Sequence, residues 1–414
     1  MTALTGLRVI ELAHERVAFA GKLLADMGAD VILVEPPGGA LERHYPPFLN
    51  DEPGPDRSLW WWHYHTNKQG VVIDLESTAG RAQLLGLIDH ADVLIESEPT
   101  QRLEALGLDW PALVVRRPGL IHAALTPFGR RNPDSDLPAT DLTLMAGGGP
   151  VWSCGYDDHS LPPVRGLGEH ASNTGCHYAV MAILTAVLAR ITTGRGQFID
   201  VSLHAALNVT TEGASYQWLV NGTTVQRQTG RHASIVPTGP TQVQCADGRF
   251  ANTGVPPRVP AEFAALKDWL EALRLTDELP EAVFLEMGAT WQGTFDLSLI
   301  GRDDTVTAVF SAGREALKLI ARNVPAYDFF VGCQRAGLAT GIIYAPEEAF
   351  EDPHFRARGF DVEVFHPELD RHIRYPGAPW RMPASPWRIA RRAPALGEHQ
   401  QELLGTGVHG AETP

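Results

Sequence analysis

Cysteine and positive charge are both scarce in this chain of 414 residues. Its four cysteines, Cys154, Cys176, Cys245 and Cys333, lie far apart and form no C-x-x-C pair. This spacing excludes a disulfide framework and a cysteine zinc site, and it is typical of a reducing cytoplasm. Lysine and arginine together number 34 against 49 acidic residues, so the formal net charge is −15. A general nucleic-acid binder needs a basic face, and the composition therefore argues against that class.

Long hydrophobic runs are missing too. The most apolar stretch, Ala179–Ala189, is about half of the ~20 residues that a membrane span needs. The N-terminal sequence MTALTGLRVIELAHERVAF carries charges early and lacks the continuous apolar segment of a signal peptide. With 44% hydrophobic and 20% charged residues, the composition is that of a folded globular protein. We therefore expect a cytoplasmic protein that does not bind membranes.

Motifs of several common enzyme classes are absent. The sequence has no G-x-S-x-G, H-E-x-x-H or P-loop pattern, so serine hydrolases, zinc proteases and P-loop NTPases lose their usual support. A G-x-G-x-x-A match at Gly166–Ala171 follows a Leu-Pro-Pro segment. Because proline cannot donate to a central strand, this match does not predict NAD binding. His63 and His65 lie in an aromatic run without an identifiable third metal ligand, which favours aromatic packing over a metal site.

The first 130 residues show a strong α/β pattern. Short apolar runs alternate with segments of helical period, which is typical of buried parallel strands in βαβ units. Such an alternation predicts a doubly wound α/β domain. The predicted strands are Arg8–Leu12, Asp30–Glu35, Val71–Leu75, Asp92–Glu96, Leu120–Leu125 and Phe198–Leu203.

The remainder of the chain has a different texture. Thr174–Arg190 predicts a long buried helix, because apolar residues cover nearly all of its faces. From Gln226 onward proline and glycine become frequent, QVQCADGRFA has a hairpin pattern, and Ala261–Leu273 has a helical pattern. The predicted organisation is a large α/β domain over 1–225, a smaller domain over 227–345, and a C-terminal segment over 346–414 that returns to the large domain.

A polar turn opens the long helix. Glu169 and His170 precede the string Ala171-Ser172-Asn173-Thr174-Gly175. The serine, asparagine and threonine side chains are suited to helix capping, and the free N–H groups of a helix N-terminus favour an anion. From these residues alone, plain capping is the default interpretation and an oxyanion site is the alternative.

Many sequence blocks occur in an order that resembles one known family. They are LTGLRVIELA, KLLADMGADVILVEPPGG, HTNKQGVVIDL, ADVLIES, LTPFG, ATDLTLMAGG, LTAVLARITTGRGQFIDVSLHAAL, EDPHFRARGF and APALGEH. Spread from Leu4 to Leu404, these blocks resemble the class III CoA-transferase family of the CaiB/BaiF type. That family includes formyl-CoA transferase, carnitine CoA-transferases and α-methylacyl-CoA racemases.

The resemblance implies a Rossmann-like large domain that binds CoA rather than NAD, a smaller α+β domain, and an interlocked homodimer. It implies acyl-CoA and a small carboxylic acid as substrates. Two positions depart from the family: Ser97 stands where asparagine is common, and Ala105 where arginine is common, with Arg102 one turn away. The CoA contacts implied by the resemblance are His14, Glu15, Arg16, Val17, Arg43, Asn67, Lys68, Ser97 and Arg102.

The largest departure lies at the catalytic position. Transferases of the formyl-CoA type carry Asp-Ser-Asn-Thr-Gly, and their aspartate forms acyl-anhydride and CoA-thioester intermediates. Here Ala171 replaces that aspartate, and a methyl group cannot act as the nucleophile. Racemases use the aspartate as an acid or base together with a histidine upstream, and 134–149 contains no histidine.

Three interpretations follow for a chain with Ala171. In the first, it is an Asp-to-Ala variant of a true transferase. In the second, it is a divergent acyl-CoA hydratase, dehydratase, isomerase or racemase that uses Glu169 or His170. In the third, it is a non-catalytic acyl-CoA-binding subunit that pairs with an aspartate-bearing paralogue. Because Ser172–Gly175 follow the transferase string and the surrounding blocks are intact, the resemblance favours a protein that moves CoA between carboxylic acids, and the other two interpretations remain as alternatives.

Overall fold

The computed structural model describes residues 2–130, 132–293 and 295–405, with the side chain of Glu212 left out. The chain forms two compact units. The first unit comprises the chain up to Trp152, Val164–Thr223 and the chain from Asp352 on; the second comprises Ser153–Pro163 and Thr224–Glu351. The domain boundaries expected from the sequence, at 225–227 and 345–346, remain a prediction about separately folding parts.

A six-stranded parallel sheet forms the centre of the first unit, which confirms the predicted α/β class. The strand order β3-β2-β1-β4-β5-β6 places β1 beside both β2 and β4. The strands are β1 (Arg8–Leu12), β2 (Asp30–Glu35), β3 (Gln69–Val72), β4 (Val93–Glu96), β5 (Ile121–Thr126) and β6 (Phe198–Ser202). Because helices cover both faces of the sheet, nearly every residue of β1, β2, β4 and β5 is buried.

The helices of the first unit largely follow the predicted alternation. Up to residue 223, the helices of this unit are α1 (Glu15–Asp26), α2 (Leu59–Tyr64), α3 (Thr78–Ile88), α4 (Thr100–Leu106), α5 (Trp110–Arg116), α6 (Asp141–Gly147), α7 (His170–Thr193), α8 (Leu203–Val209) and α9 (Glu212–Asn221). The aromatic run lies on α2, where Trp61 and Trp62 are buried, so its interpretation as a packing patch is confirmed.

The long helix α7 is less buried than the sequence predicted. Ala179, Ile183 and Ala186 pack into the core beneath the sheet, whereas Leu188 and Ile191 are 66% and 78% exposed. Among the described residues, α7 is the one helix long and apolar enough to cross a membrane by length and composition. Its inner face packs like that of a core helix, and its outer face leaves apolar side chains uncovered.

The second unit has its own hydrophobic core. Strands β9 and β10 form the predicted hairpin, and β11 extends it to a three-stranded antiparallel sheet. The sequence analysis missed α12, although its buried positions recur at helical spacing. The elements are β7 (Gln226–Gln228), β8 (Arg231–Ser234), β9 (Gln242–Gln244), β10 (Phe250–Asn252), α10 (Pro260–Leu273), α11 (Ala282–Ala289), α12 (Asp304–Asn323), α13 (Ala326–Arg335), β11 (Gly341–Ile343) and α14 (Pro346–Ala349).

The C-terminal part of the chain completes the first unit. It contains α15 (Pro353–Arg358), an antiparallel hairpin of β12 (Asp361–His366) and β13 (Arg371–Pro376), and α16 (Gln400–Leu404). Gln400 joins this segment to the sheet, since its side chain accepts from the N–H of Val72 and donates to its carbonyl. These contacts fasten α16 to the edge strand β3.

Candidate active site

A cavity of about 540 Å³ lies at the carboxyl ends of the central strands. Its walls come from the segments that follow β1, β2, β3 and β4. The order of the sheet reverses between β1 and β4, so the chain leaves these two strands in opposite directions and opens a crevice. In doubly wound sheets this crevice is the usual place for a ligand.

Five of the nine CoA contacts implied by the resemblance line this cavity. They are His14, Glu15, Arg16, Ser97 and Arg102. His14 is the N-cap of α1, and its Nδ1 accepts from the Arg16 N–H at 3.2 Å. Burial, followed by the neighbouring Arg16, lowers the pKa of His14 to about 4, so its imidazole is neutral at pH 7.

Ser97 offers the cavity an unused polar group. It follows β4, is only 6% exposed, and lines the cavity. Within the described part of the chain, its Oγ has no hydrogen-bond partner. A buried hydroxyl without a partner is costly, and a bound ligand would supply the missing partner.

The other implied contacts lie outside the cavity lining, and Arg43 illustrates why. Its side chain is fully buried, with Nε and Nη2 on the Glu35 carboxylate at 2.6 and 2.8 Å. Nη1 donates to Asp56 Oδ1 at 2.7 Å, and the guanidinium lies 3.9 Å from the centre of the Trp61 ring. In this structure the donors of Arg43 are used within the protein and hold the end of β2 in place, and its contact with CoA stays a prediction.

Lys68 is likewise engaged within the protein, and its contact with CoA also stays a prediction. Its ammonium is fully buried and donates to Glu11 Oε1 and to the Ala18 carbonyl, both at 2.8 Å, with His65 Nδ1 at 3.0 Å. Three acceptors satisfy the three donors of the ammonium. Lys68 thus fastens α1 and β1 to the segment before β3, beneath the surface that a ligand would reach.

The two remaining implied contacts also have structural roles. Asn67 donates to Asp26 Oδ1 at 2.6 Å and accepts from the backbone N–H groups of Ala390 and Arg391. It therefore ties the C-terminal segment to α1. Val17 is fully buried in the core between α1 and the sheet, which leaves it no surface for a ligand.

The contact between His65 and Lys68 predicts a pH dependence of stability. Burial, and then the positive charge of Lys68, hold the pKa of His65 well below its usual value near 6.5. Between these two pKa values the unfolded chain binds a proton that the folded chain does not, so stability falls as the pH decreases below about 6.5. We expect this group to remove roughly 1.4 kcal/mol of folding free energy per pH unit there.

Urea unfolding at pH 7.5 and 5.5 checks this prediction. His65→Asn keeps an acceptor for Lys68 but cannot titrate, so the variant should lose less stability on acidification than the unchanged protein. Buried carboxyls such as Glu11 titrate in both proteins, and their effects cancel in the comparison. Equal losses in the two proteins would contradict the prediction.

The catalytic position of the family lies at the start of α7. Ala171 is fully buried against Leu144, Leu203 and Leu207. Its N–H donates to Asp141 Oδ1 at 2.7 Å. The sequence analysis gave an anion site here as the alternative to plain capping, and Asp141 on α6 supplies a carboxylate from within the chain.

Glu169 and His170 precede this position. Glu169 is half-buried, and burial, followed by the charges of Asp141 and Glu15, raises its pKa. Glu15 also lines the cavity, so its charge acts on both the cavity and the start of α7. His170 is exposed. Both residues remain candidate acid–base groups, and neither occupies the place of the missing nucleophile.

Sequence reasoning missed three polar residues around this helix start. Asp141 binds the Ala171 N–H, and Arg165 lies 3.0 Å from its other carboxylate oxygen. Tyr64 accepts from Asn173 Nδ2 at 3.2 Å. Asp141 is part of the block ATDLTLMAGG, in which a capping threonine precedes the acid. This pattern could have indicated an acidic side chain at the start of a helix. Nothing in the local pattern of α2 indicates that Tyr64 reaches α7.

Comparison with known proteins places this geometry in a family. The sequence model of CoA-transferase family III matches residues 4–400. The chain is 29% identical to the succinyl-CoA:(R)-benzylsuccinate CoA-transferase subunit BbsE of Thauera aromatica, over 96% of this chain and 92% of that protein. It is 31% identical to the succinate–glutarate CoA-transferase of Agrobacterium fabrum, over 97% of this chain and 94% of that protein.

A solved structure agrees in fold. A CAIB/BAIF family protein from Brucella suis superposes with a TM-score of 0.77 at 24% identity, covering 97% of this chain and 99% of that one. The six-stranded parallel sheet, the crevice between β1 and β4, and the helix that begins at His170 are thus accompanied by a sequence match over nearly the whole chain. This chain belongs to CoA-transferase family III.

Proposed function

We propose that this chain is the non-catalytic subunit of a heteromeric CoA-transferase that moves CoA between two carboxylic acids. The observation that carries the proposal is Ala171, a fully buried methyl group at the position where the resemblance expects the nucleophilic aspartate. A methyl group has no lone pair to attack a thioester. The relative from Thauera aromatica supports the proposal, because its name describes a subunit.

The chemistry of transfer explains why one side chain decides the role. An enzyme carboxylate attacks the acyl-CoA carbonyl, the C–S bond breaks, and a mixed anhydride forms as CoA leaves as its thiolate. The thiolate then attacks the enzyme carbonyl of the anhydride, which releases the first acid and leaves a CoA thioester on the enzyme. The second acid reverses both steps. Each step needs a carboxylate at one place, and a second chain must supply it here.

Apolar surface on the first unit supports an oligomeric protein. On α9, Trp218, Leu219 and Val220 are 62%, 76% and 78% exposed, and α7 leaves Leu188 and Ile191 uncovered. Contiguous exposed apolar side chains of this size are typical of protein–protein contacts. In the proposed assembly a related aspartate-bearing chain covers this surface, and a homodimer is the competing arrangement.

Co-expression with a related family member that keeps the aspartate tests the assembly. We expect the two chains to co-purify in equal amounts, and native mass spectrometry should give a mixed species. The matched control is a family member from an unrelated transferase, which should remain separate. A homogeneous homodimer of this chain that transfers CoA unaided would contradict the proposal.

A second candidate function, acid–base chemistry on acyl-CoA, is favoured by the raised pKa of Glu169. A carboxyl with a raised pKa is suited to proton transfer near neutral pH, as in dehydration, isomerisation or racemisation. Mass spectrometry of acyl-CoAs incubated with the chain alone distinguishes the two functions. We expect no conversion, and equally none for Glu169→Gln or His170→Ala. Conversion that disappears in Glu169→Gln would replace the subunit proposal with the acid–base one.

A further inference from the structure

Carboxylates outnumber cations around the cavity at the carboxyl ends of β1 and β4. Among the described lining residues, six side chains are acidic and two are arginines. The acidic ones are Glu15, Glu35, Glu42, Asp74, Glu76 and Glu98. CoA carries a pyrophosphate and a 3′-phosphate, so a site that holds it needs cations or N–H donors in excess. The lining of this cavity has the opposite balance.

Most of the basic groups that line the cavity are paired or neutral. Arg102 donates to Glu98 Oε2 at 2.6 Å and to Glu76 Oε1 at 3.1 Å. His14 is uncharged at pH 7, since its pKa is lowered to about 4. Arg16 donates from Nη2 to the Ala139 carbonyl at 3.1 Å, and this contact leaves its guanidinium charged. The lining therefore offers a phosphate chiefly this one cation.

The acidic groups are compensated only in part. Arg43 lies behind the lining and pairs with Glu35, and Arg102 is shared between Glu76 and Glu98. Glu42 is 5% exposed, and burial raises its pKa to about 6, which leaves it mostly ionised at pH 7. Asp74 and Glu76 are exposed at the cavity mouth. Charges of one sign in a cleft concentrate the field within it, so the cavity repels an approaching anion.

We infer that the cavity at the carboxyl ends of β1 and β4 excludes CoA. The lining as a whole does not fit a polyphosphate, because its six carboxylates outnumber Arg16 and Arg102. The unpaired Ser97 hydroxyl fits a neutral or cationic ligand equally well. This inference rests on the proposed function. Together they lead us to expect one CoA per pair of chains, held by the aspartate-bearing partner.

Calorimetric titration of the purified chain with CoA tests the inference. The unchanged protein should give no binding heat at low salt. Asp74→Lys combined with Glu76→Lys reverses the charge of two exposed side chains at the mouth and releases Arg102 from one partner. This variant should give a saturable binding heat with CoA under the same conditions, where the unchanged protein gives none. Its affinity should decrease as salt is raised, since screening weakens attraction between opposite charges.

A control variant makes the same change in charge at another place on the first unit. Glu363→Lys with Glu402→Lys changes two exposed acids that do not line the cavity, and it should leave CoA binding absent. Binding by the unchanged chain that weakens with added salt would overturn the inference, and so would a charge-reversed variant that still fails to bind. Neither result touches the subunit proposal, which fails only if the chain transfers CoA by itself.

Discussion

Replacing Lys68 with alanine is expected to destabilise the first unit by about 3–5 kcal/mol, because it leaves the Glu11 carboxylate buried without its cation. Both side chains are fully buried and lie 2.8 Å apart. Burial already raises the pKa of Glu11 to about 7, even with Lys68 in place. Loss of the ammonium also removes donors to the Ala18 carbonyl and to His65. Chemical unfolding of the variant measures the loss.

A surface ion pair of equal length provides the matched control. Arg8 and Asp30 also lie 2.8 Å apart, but their side chains are 44% and 35% exposed. Because water solvates and screens such a pair, Arg8→Ala should cost less than about 1 kcal/mol. The double variant Lys68→Met with Glu11→Gln removes both buried charges and should recover much of the lost stability. Equal costs for Lys68→Ala and Arg8→Ala would refute the structural role assigned to Lys68.

Introducing the family's nucleophile by Ala171→Asp is expected to destabilise the protein by about 3 kcal/mol or more, since the new carboxylate is buried without a partner. Ala171 packs against Leu144, Leu203 and Leu207, and its N–H is already occupied by Asp141. The helix N-terminus favours a negative charge, but the neighbouring Asp141 carboxylate opposes it. We therefore expect the pKa of the new carboxyl to be raised.

Ala171→Asn isolates the charge from the added volume. At pH 7 the aspartate variant should be less stable than the asparagine variant. A folded-state pKa above the unfolded value means that the penalty is present at high pH and disappears as the pH falls through the folded pKa, so the two unfolding free energies should converge near pH 4. The aspartate variant should also transfer no CoA by itself, because the cavity charge is unchanged. Transfer by this variant alone would show that the missing aspartate is the only defect.

Much of the large unit could be predicted, because parallel strands covered on both faces leave continuous apolar runs in the sequence. The runs at β1 and β2 match their predicted bounds, and β3 begins two residues before its predicted start. The same signal misled for α7, where Leu188 and Ile191 are apolar but exposed. Hydrophobicity alone does not distinguish an apolar side chain in the core from one at the surface.

The positions of site residues were predictable only where they follow directly from the arrangement of the parallel strands. His14 and Ser97 follow parallel strands, whose carboxyl ends meet at one edge of the sheet, so both line the cavity. For Arg43 and Lys68, a cation in the sequence does not reveal whether its partner is a ligand or a carboxylate elsewhere in the chain. Glu35 and Glu11 supply those carboxylates from neighbouring strands, and only the packed structure brings them together.

In the proposed subunit role, this chain lacks the chemistry of transfer and gains it only from a partner. The measurement that tests this role is CoA transfer from an acyl-CoA donor to a carboxylic acid, followed by mass spectrometry, for this chain alone, for the aspartate-bearing partner alone, and for both together. We expect no transfer by this chain at any concentration, and transfer by the pair that stops when the partner's aspartate is replaced by asparagine. Transfer by this chain alone, at a rate proportional to its own concentration, would contradict this role.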